Sequence, residues 1–310
     1  MIEIQKVTNS ICLHGLVEGT DSEVAIEGQI IWNPTQDCDD VFLRVIGSEK
    51  VLKSRLMFRR TSQIKVRHII DECLVLLTQR RFTPPNHGSS SSIQNSVVTP
   101  FKITFNATDI PATYHGEQCT VTYNLFLYSG KSVHSQVEVD VFRFPTVQDL
   151  KPFQSNMYFC FKHMNCIVKG SRVLFSHPIR SDDSMQPEHL RWISISPCRF
   201  SVQFKSSTLS ISHADVYVVE ECKMVEHTWW LRWLRKPHQS THTVMQKIHV
   251  SFERNATVVF DLSDMSRVTR VSQDTSAHNF LVSHYVKIIL FIKNRPNPLH
   301  MKVPLLVAFS

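Results

Sequence analysis

Thiol and imidazole side chains are the ligands zinc favours, and their tightest grouping in this sequence is Cys160-x-x-His163-x-x-Cys166. On one extended strand residues 160 and 166 share a face and residue 163 points to the other, so the three converge only through a bend. Buried cysteines beside a solvent-facing histidine are the expectation. His238 and His242, with His249 beyond, form a second set, but they lie among Gln239, Ser240 and Thr241, which read as a polar loop. Neither a metal site nor a cofactor is expected. The 310 residues contain no Gly-x-Gly-x-x-Gly, no Gly-x-x-x-x-Gly-Lys, no Gly-x-Ser-x-Gly and no His-Glu-x-x-His. A non-catalytic protein is therefore expected.

The most unusual stretch is Trp229, Trp230, Leu231, Arg232, Trp233, Leu234, Arg235 and Lys236, which places three of the five tryptophans beside three cations. Indoles favour the boundary between apolar and wet surroundings, and adjacent cations attract lipid phosphates at roughly 1 kcal/mol each near an anionic surface. Two readings stay open. The stretch is either a loop facing a membrane or receptor, or a strand that buries Trp230 while Trp229, Leu231 and Trp233 cover a neighbouring loop. A second basic group, Arg55, Arg59, Arg60, Lys65 and Arg67, offers guanidinium forks for phosphate and so suits phosphorylated cargo tails; a solvated face is the alternative.

Composition limits what such residues can serve. With 42% hydrophobic and 20% charged residues the chain is globular, and its longest apolar runs, Cys73 to Leu77 and Ile288 to Ile292 among them, fall far short of the roughly 20 residues of a spanning helix. Glu3 and the lack of an apolar block at the N-terminus argue against a secretory signal. Eight scattered cysteines without a Cys-x-x-Cys read as reduced thiols, although Asn106-Ala-Thr108 and Asn255-Ala-Thr257 are glycosylation triplets. A cytoplasmic protein is expected, with peripheral association with the plasma membrane or endosomes. Residues 1–150 carry 14 basic and 16 acidic side chains, whereas 151–310 carry 20 and 11, so the second half holds the whole of the net charge of +7. That half also holds eleven of the sixteen histidines.

The elements that must position these residues follow from period-two alternation. Val24 to Trp32, Val41 to Val45, Phe101 to Phe105, Val121 to Leu127 and Val137 to Val141 read as strands with one buried face, as do Phe200 to Phe204, Val216 to Val218, Ile248 to Phe252 and Val286 to Ile292. Many short strands without intervening helices predict antiparallel sandwiches in both halves. One segment departs from this: Val66, Ile69, Ile70, Cys73, Leu74 and Leu77 fall at helical spacing, which predicts a short amphipathic helix over about 64–80. The tract from Pro84 to Ser96 has too little apolar surface to pack and is expected to be a flexible loop. Within Phe144 to Gln154, the expected domain boundary, Pro145 and Pro152 bracket a stretch between two strand runs.

This order of elements resembles the arrestin-like fold family, two β-sandwiches joined by a short hinge. Ala25-Ile-Glu-Gly-Gln-Ile30 and Val41-Phe-Leu-Arg-Val-Ile-Gly47 are similar to the opening strands of arrestin N-domains, and Thr99-Pro-Phe-Lys-Ile-Thr-Phe105, Asp109-Ile-Pro-Ala-Thr-Tyr-His-Gly116 and Cys119-Thr-Val-Thr-Tyr123 to the series that follows. Val282-Ser-His-Tyr-Val-Lys-Ile-Ile-Leu290 and Met301-Lys-Val-Pro-Leu-Leu-Val307 resemble the closing strands of arrestin C-domains. The likeness is nearest to α-arrestins, the arrestin-domain-containing proteins. It implies an all-β protein of two immunoglobulin-like antiparallel β-sandwich domains, 1–148 and 149–310, with one short helix in the first. It also implies a non-catalytic adaptor that links membrane-protein cargo or receptor tails to trafficking or signalling machinery. Trp229 to Lys236 then falls near the C-domain loop that touches receptor or membrane, and Arg55 to Arg67 in the region of N-domain receptor contacts. The sequence ends with the last of these strands, so neither the regulatory tail of β-arrestins nor the Pro-Pro-x-Tyr tail of α-arrestins is expected; Pro84-Pro85-Asn-His is not that motif. An arrestin-like subunit of the retromer type, in an endosomal coat, is the alternative within the fold, suggested by Thr113-Tyr-His-Gly116. A basic β-sandwich that binds nucleic acid is the less favoured reading of another class, for which Trp229 to Lys236 would supply stacking rings among cations.

Overall fold

Alternation of side chains assigns each strand a core face and a solvent face, and the described positions among those read as strands are strands in the computed structural model. It describes residues 2–5, 7, 10–15, 23–32, 40–53, 63–77, 97–108, 110–116, 118–161, 164–180, 190–194, 198–206, 210–225, 239–243, 248–251, 257–262 and 273–309. These residues are mostly β-strand in several sheets, with one helix among them. The chain divides into two units, Met1–Leu13 with Glu18–Phe142, and His14–Val17 with Arg143–Ser310.

The first unit is built from β1 (Ile2–Gln5), β2 (Ser10–His14), β3 (Glu23–Trp32), β4 (Val41–Lys53), β5 (Gln63–Leu77), β6 (Val97–Asn106), β7 (Tyr114–His115), β8 (Cys119–Ser129) and β9 (Ser132–Phe144). One sheet runs β1-β3-β6 and the other β2-β9-β8-β4-β5, with β7 on β8. Leu43, Val45, Val121, Leu125, Leu127 and Val139 are completely buried on the larger sheet, and Ile26, Ile30, Phe101, Ile103 and Phe105 are buried on the smaller. Tyr123 shares this face, and its hydroxyl donates to the Pro111 carbonyl at 2.7 Å, so burial leaves it satisfied.

The segment expected to be a helix over 64–80 is instead β5. It pairs antiparallel with β4, and the register shifts twice, between Gly47 and Ser48 and between Val41 and Phe42. Ile69 and Leu76 are the extra residues at these bulges, so the positions sharing the face of buried Val41, Leu43 and Gly47 are Leu77, Leu74 and Ile70. Each phase slip turns a spacing of two into three, between positions 67 and 70 and between 74 and 77, and the four from Ile70 to Leu74 passes over exposed Glu72 opposite Val45; together these spacings imitate one side of a helix. Arg44 then fixes β5 from the other face by a bidentate pair with Asp71, both bonds 2.6 Å, which holds the Asp71 carboxyl below the usual carboxylate range.

The second unit contains α1 (Val147–Gln154), β10 (Met157–Phe161), β11 (Met164–Gly170), β12 (Val173–Arg180), β13 (Leu190–Ser194), β14 (Arg199–Ser206), β15 (Ile211–Met224), β16 (Gln239–Thr243), β17 (Ile248–Ser251), β18 (Thr257–Asp261), β19 (Thr275–Ser276), β20 (Phe280–Ile292) and β21 (Leu299–Phe309). A four-stranded sheet, β10-β11-β14-β18, shares one apolar core with a larger sheet whose order is β13-β12-β21-β20-β15-β16. Met164, Cys166, Val168, Phe200 and Val202 enter from the first sheet, and Val216, Val218, Val286, Ile288 and Val303 from the second. The expectation of purely antiparallel pairing fails at one place among the described strands, where β12 and β21 run parallel. These strands lie far apart in sequence, so no hairpin dictates their direction.

The one described helix sits in the stretch read as a linker. Thr146 and Asp149 form a reciprocal capping box at its start, a signal outweighed in the sequence by Pro145 and Pro152. An eight-residue helix is marginal alone, and α1 is held by Leu150 and Phe153 against Val173, Leu306 and Ala308. Buried Arg172 ties down its C-terminal end by donating to the carbonyls of Pro152 at 2.6 Å and Ser155 at 2.9 Å. The Pro84 to Ser96 tract lies outside the described residues.

Gly47 gives a direct check on the first unit. A Cβ there would stand 2.8 Å from the Tyr123 ring, too close for a buried aromatic to yield cheaply. The Gly47→Ala variant is expected to lose about 1–3 kcal/mol by overpacking, read as a lower urea midpoint at unchanged slope.

Candidate functional site

The structure brings few of the sequence-predicted site residues together. Trp229, Trp230, Leu231, Arg232, Trp233, Leu234, Arg235 and Lys236 lie outside the described residues, as do Arg55, Arg59 and Arg60. Lys65 and Arg67 belong to β5, opposite Val51 and Glu49 respectively, and the Arg67 side chain is exposed on this edge strand. Of the cysteine and histidine sets, His163 and His238 are outside the described residues. Cys160 and Cys166 sit on neighbouring strands, where Cys160 faces Asn165 and Cys166 faces Phe159. Cys160 is exposed and Cys166 buried, so the antiparallel pairing sends the two thiols to opposite faces rather than to the shared face a single strand would give. Burial pushes the Cys166 thiol up to about 12, which keeps it protonated and unreactive. His242 pairs with Glu220 and His249 with Asp215, five positions apart along β15 and so about 17 Å along the strand.

A different group of ionisable residues is assembled at one end of the second unit's core. In the β15–β20–β21 rows, Val216–Ile288–Met301 and Val218–Val286–Val303 are apolar, and the next row on the same face is Glu220–His284–Leu305. His284 is 2% exposed. Its Nδ1 donates to the Asp274 carboxylate at 2.5 Å, and its Nε2 lies 3.4 Å from Glu220 Oε2. Burial pulls the imidazole pKa down, but Asp274 and then Glu220 outweigh it and push His284 up to about 9, so the imidazole is cationic at neutral pH; burial also raises the Asp274 carboxyl, against the opposing pull of His284.

The neighbouring residues fix this cluster in place. Asp274 donates its backbone N–H to Val307 O at 3.0 Å, and Thr275 pairs with Val282. Next to it, the Gln273 side chain accepts from the Arg143 backbone N–H at 3.2 Å and donates to the Arg143 carbonyl. Arg143 in turn donates through Nη1 to Gly15 O at 2.9 Å. Chemically this is a triad whose imidazole is sealed from solvent and whose two acids are half-buried, suited to holding strands together rather than to acting on a ligand. On the opposite face of the sheet, Glu221 is buried between Lys223 at 2.5 Å and Lys302 at 3.0 Å, and the Lys302 ammonium stands 4.3 Å above the Tyr285 ring. Burial raises the Glu221 carboxyl, but the two lysines outweigh it and hold the group below its ordinary value.

Sequence reasoning passed over His284. The available signal was phase: in Val282-Ser-His-Tyr-Val286 the histidine falls on the alternation of Val282, Val286 and Ile288, which marks an inward-facing imidazole. No group of three metal-ligating side chains capable of holding an ion occurs among the described residues. No described helix is long and apolar enough to cross a membrane. No protein-family model matches the chain. No curated protein matches it either.

The sign of the pH effect follows from the raised His284 pKa. Its contribution to stability is complete below about pH 6.5, the ordinary histidine value, and is lost as pH rises through about 9. Urea unfolding from pH 6 to 10 is expected to show falling stability on the alkaline side. His284→Gln is expected to remove most of that slope and to cost about 3 kcal/mol at pH 6, because it leaves two half-buried acids without their buried cation.

Proposed function

We propose that the chain is a non-catalytic, arrestin-like adaptor: two immunoglobulin-like β-sandwich domains joined by a short hinge, linking membrane-protein cargo to trafficking or signalling machinery in the cytoplasm. The observation that carries this reading is the division of one chain into two all-β units, each made of two sheets with described edge strands such as β5 and β10. Edges of this kind present rows of backbone donors and acceptors to extended segments of a partner, and loops at the ends of sheets add side-chain recognition. The strand motifs quoted above, from Ala25 to Tyr123 and from Val282 to Val307, add the family resemblance. Trp229 to Lys236 is the proposed membrane or receptor contact, and Arg55, Arg59, Arg60, Lys65 and Arg67 are the proposed contacts to phosphorylated cargo.

Proximity labelling with the full chain in living cells tests the reading. Membrane proteins and trafficking components should dominate the labelled set, and a set dominated by nucleic-acid-binding proteins would overturn it. Size exclusion of the endogenous protein separates the two roles within the fold: mostly free protein is expected for an adaptor, a constant large complex for a coat subunit of the retromer type.

The tryptophan segment makes its own forecast. Replacing Trp229 and Trp233 together with serine is expected to leave thermal stability within about 0.5 kcal/mol, as for surface changes. Sedimentation with anionic liposomes should fall in the variant, and for the unmodified protein should weaken with added salt. Core tryptophans would instead cost about 3–5 kcal/mol each on truncation.

A further inference from the structure

The outward face of the four-stranded sheet β10-β11-β14-β18 carries three cations around a few exposed apolar side chains. Its registers place Cys160, Asn165 and Lys205 in one row; Tyr158, Ile167, Gln203 and Thr257 in the next; Lys169, Ser201 and Val259 in the third; and Arg199 with Asp261 in the last. Tyr158, 69% exposed, neighbours half-buried Ile167, and Val259, 51% exposed, stands on the far side of Gln203 and Ser201. Lys169, Lys205 and Arg199 are all exposed, and none forms an ion pair among the described residues. Lys102, on the outer side of the first unit's smaller sheet, shows the contrast, since it is held by Glu27 at 2.8 Å. Asp261 is the one acid on the described face, so three cations stand against one carboxylate.

We infer that this face docks an extended acidic peptide, a segment of about seven residues with carboxylates at its ends and an apolar side chain between them. The spacing supports that shape. Arg199 and Lys205 are six residues apart on β14, about 20 Å, which matches an extended chain of that length running along the strand. Lys205 marks one end and the Lys169–Arg199 pair the other, while Tyr158 and Ile167 lie across the middle. Exposed apolar side chains rimmed by cations are the anatomy of a binding face, and the sign of the charge selects acidic partners. Single-stranded nucleic acid suits the face less well: stacking needs rings for successive bases, and Tyr158 is the one aromatic among its described outward residues. The inference is independent of the adaptor reading, which proximity labelling tests separately.

Fluorescence anisotropy of the full-length protein decides it. The probe is a fluorescein-labelled heptapeptide with two glutamates at each end and phenylalanine at the centre, compared with the same peptide carrying lysines in place of the glutamates. Saturable binding of the acidic peptide alone is expected. It should weaken about tenfold or more in the Lys169→Glu, Lys205→Glu double variant, and several-fold in Tyr158→Ser. Raising salt from about 0.05 M to about 0.3 M should weaken it as well. These are exposed positions, and unchanged far-UV circular dichroism confirms that the variants fold. No binding, equal binding of both peptides, or binding unaffected by charge reversal would overturn the inference. So would tighter binding, abolished by the same reversal, of a labelled oligothymidine or of phosphatidylcholine–phosphatidylserine vesicles.

Discussion

The pairing of β15 with β20 is the constraint on which the second unit rests. It runs from His213–Phe291 to Met224–Phe280 without a break in register, and β21 copies the same phase onto the other side of β20. Side chains alternate strictly along these strands, so a slip of one position would exchange Val218, Val286 and Val303 for Val219, Tyr285 and Pro304, and bring Lys287 and Lys302 inward one row later. The apolar rows exclude that slip, and the His284 triad adds a charged row that closes only in the native register. Glu220 meets His284 because the valine rows beside them are aligned. Burial energy and ion pairing therefore specify the same arrangement, which is the consistency a single native state requires.

Much of this arrangement was readable from residue type and spacing. Runs such as Val121 to Leu127 and Val286 to Ile292 alternate so regularly that their strands and buried faces follow at once. Two local readings failed for identifiable reasons. In β5 a pair of bulges moved apolar residues onto helical spacing, and nothing in Val66 to Leu77 reveals a bulge until the partner strand is known. In α1 the prolines masked a capping box whose Thr146 and Asp149 stand in plain sight. The candidate sites were less legible than the fold. His284 could be placed on the core face by phase, but its partner Asp274 reaches it from outside the long strands through a contact no periodicity encodes. The cations of the outward sheet face are likewise ordinary in sequence, and only the registers of β11, β14 and β18 bring them onto one surface.

Arg172 shows how a costly group can be put to structural use. Its guanidinium is buried, and desolvation lowers its pKa, yet it serves carbonyls at the end of α1 and reaches the Pro304 carbonyl of β21 at 3.4 Å. The Phe153 ring lies 6.0 Å from it. A helix of eight residues cannot sustain itself, so one cation that gathers its terminal acceptors against the sheet decides whether the segment after β9 is ordered.

The bulges in β5 also bear on how copies of this protein meet one another. Pairing along β5 is regular over Gln63–His68 and again over Ile70–Val75, six residues each, with the ladder broken between them. An edge strand of fifteen uninterrupted residues would be a template for a second chain, and sheets that grow this way end in fibrils. Broken into two short and differently phased segments, and lined by Arg67, Asp71 and Glu72, this edge gives an incoming strand no long register to copy. The irregularity that hid β5 from sequence reading is thus also a safeguard for solubility at the concentrations of a crowded cell.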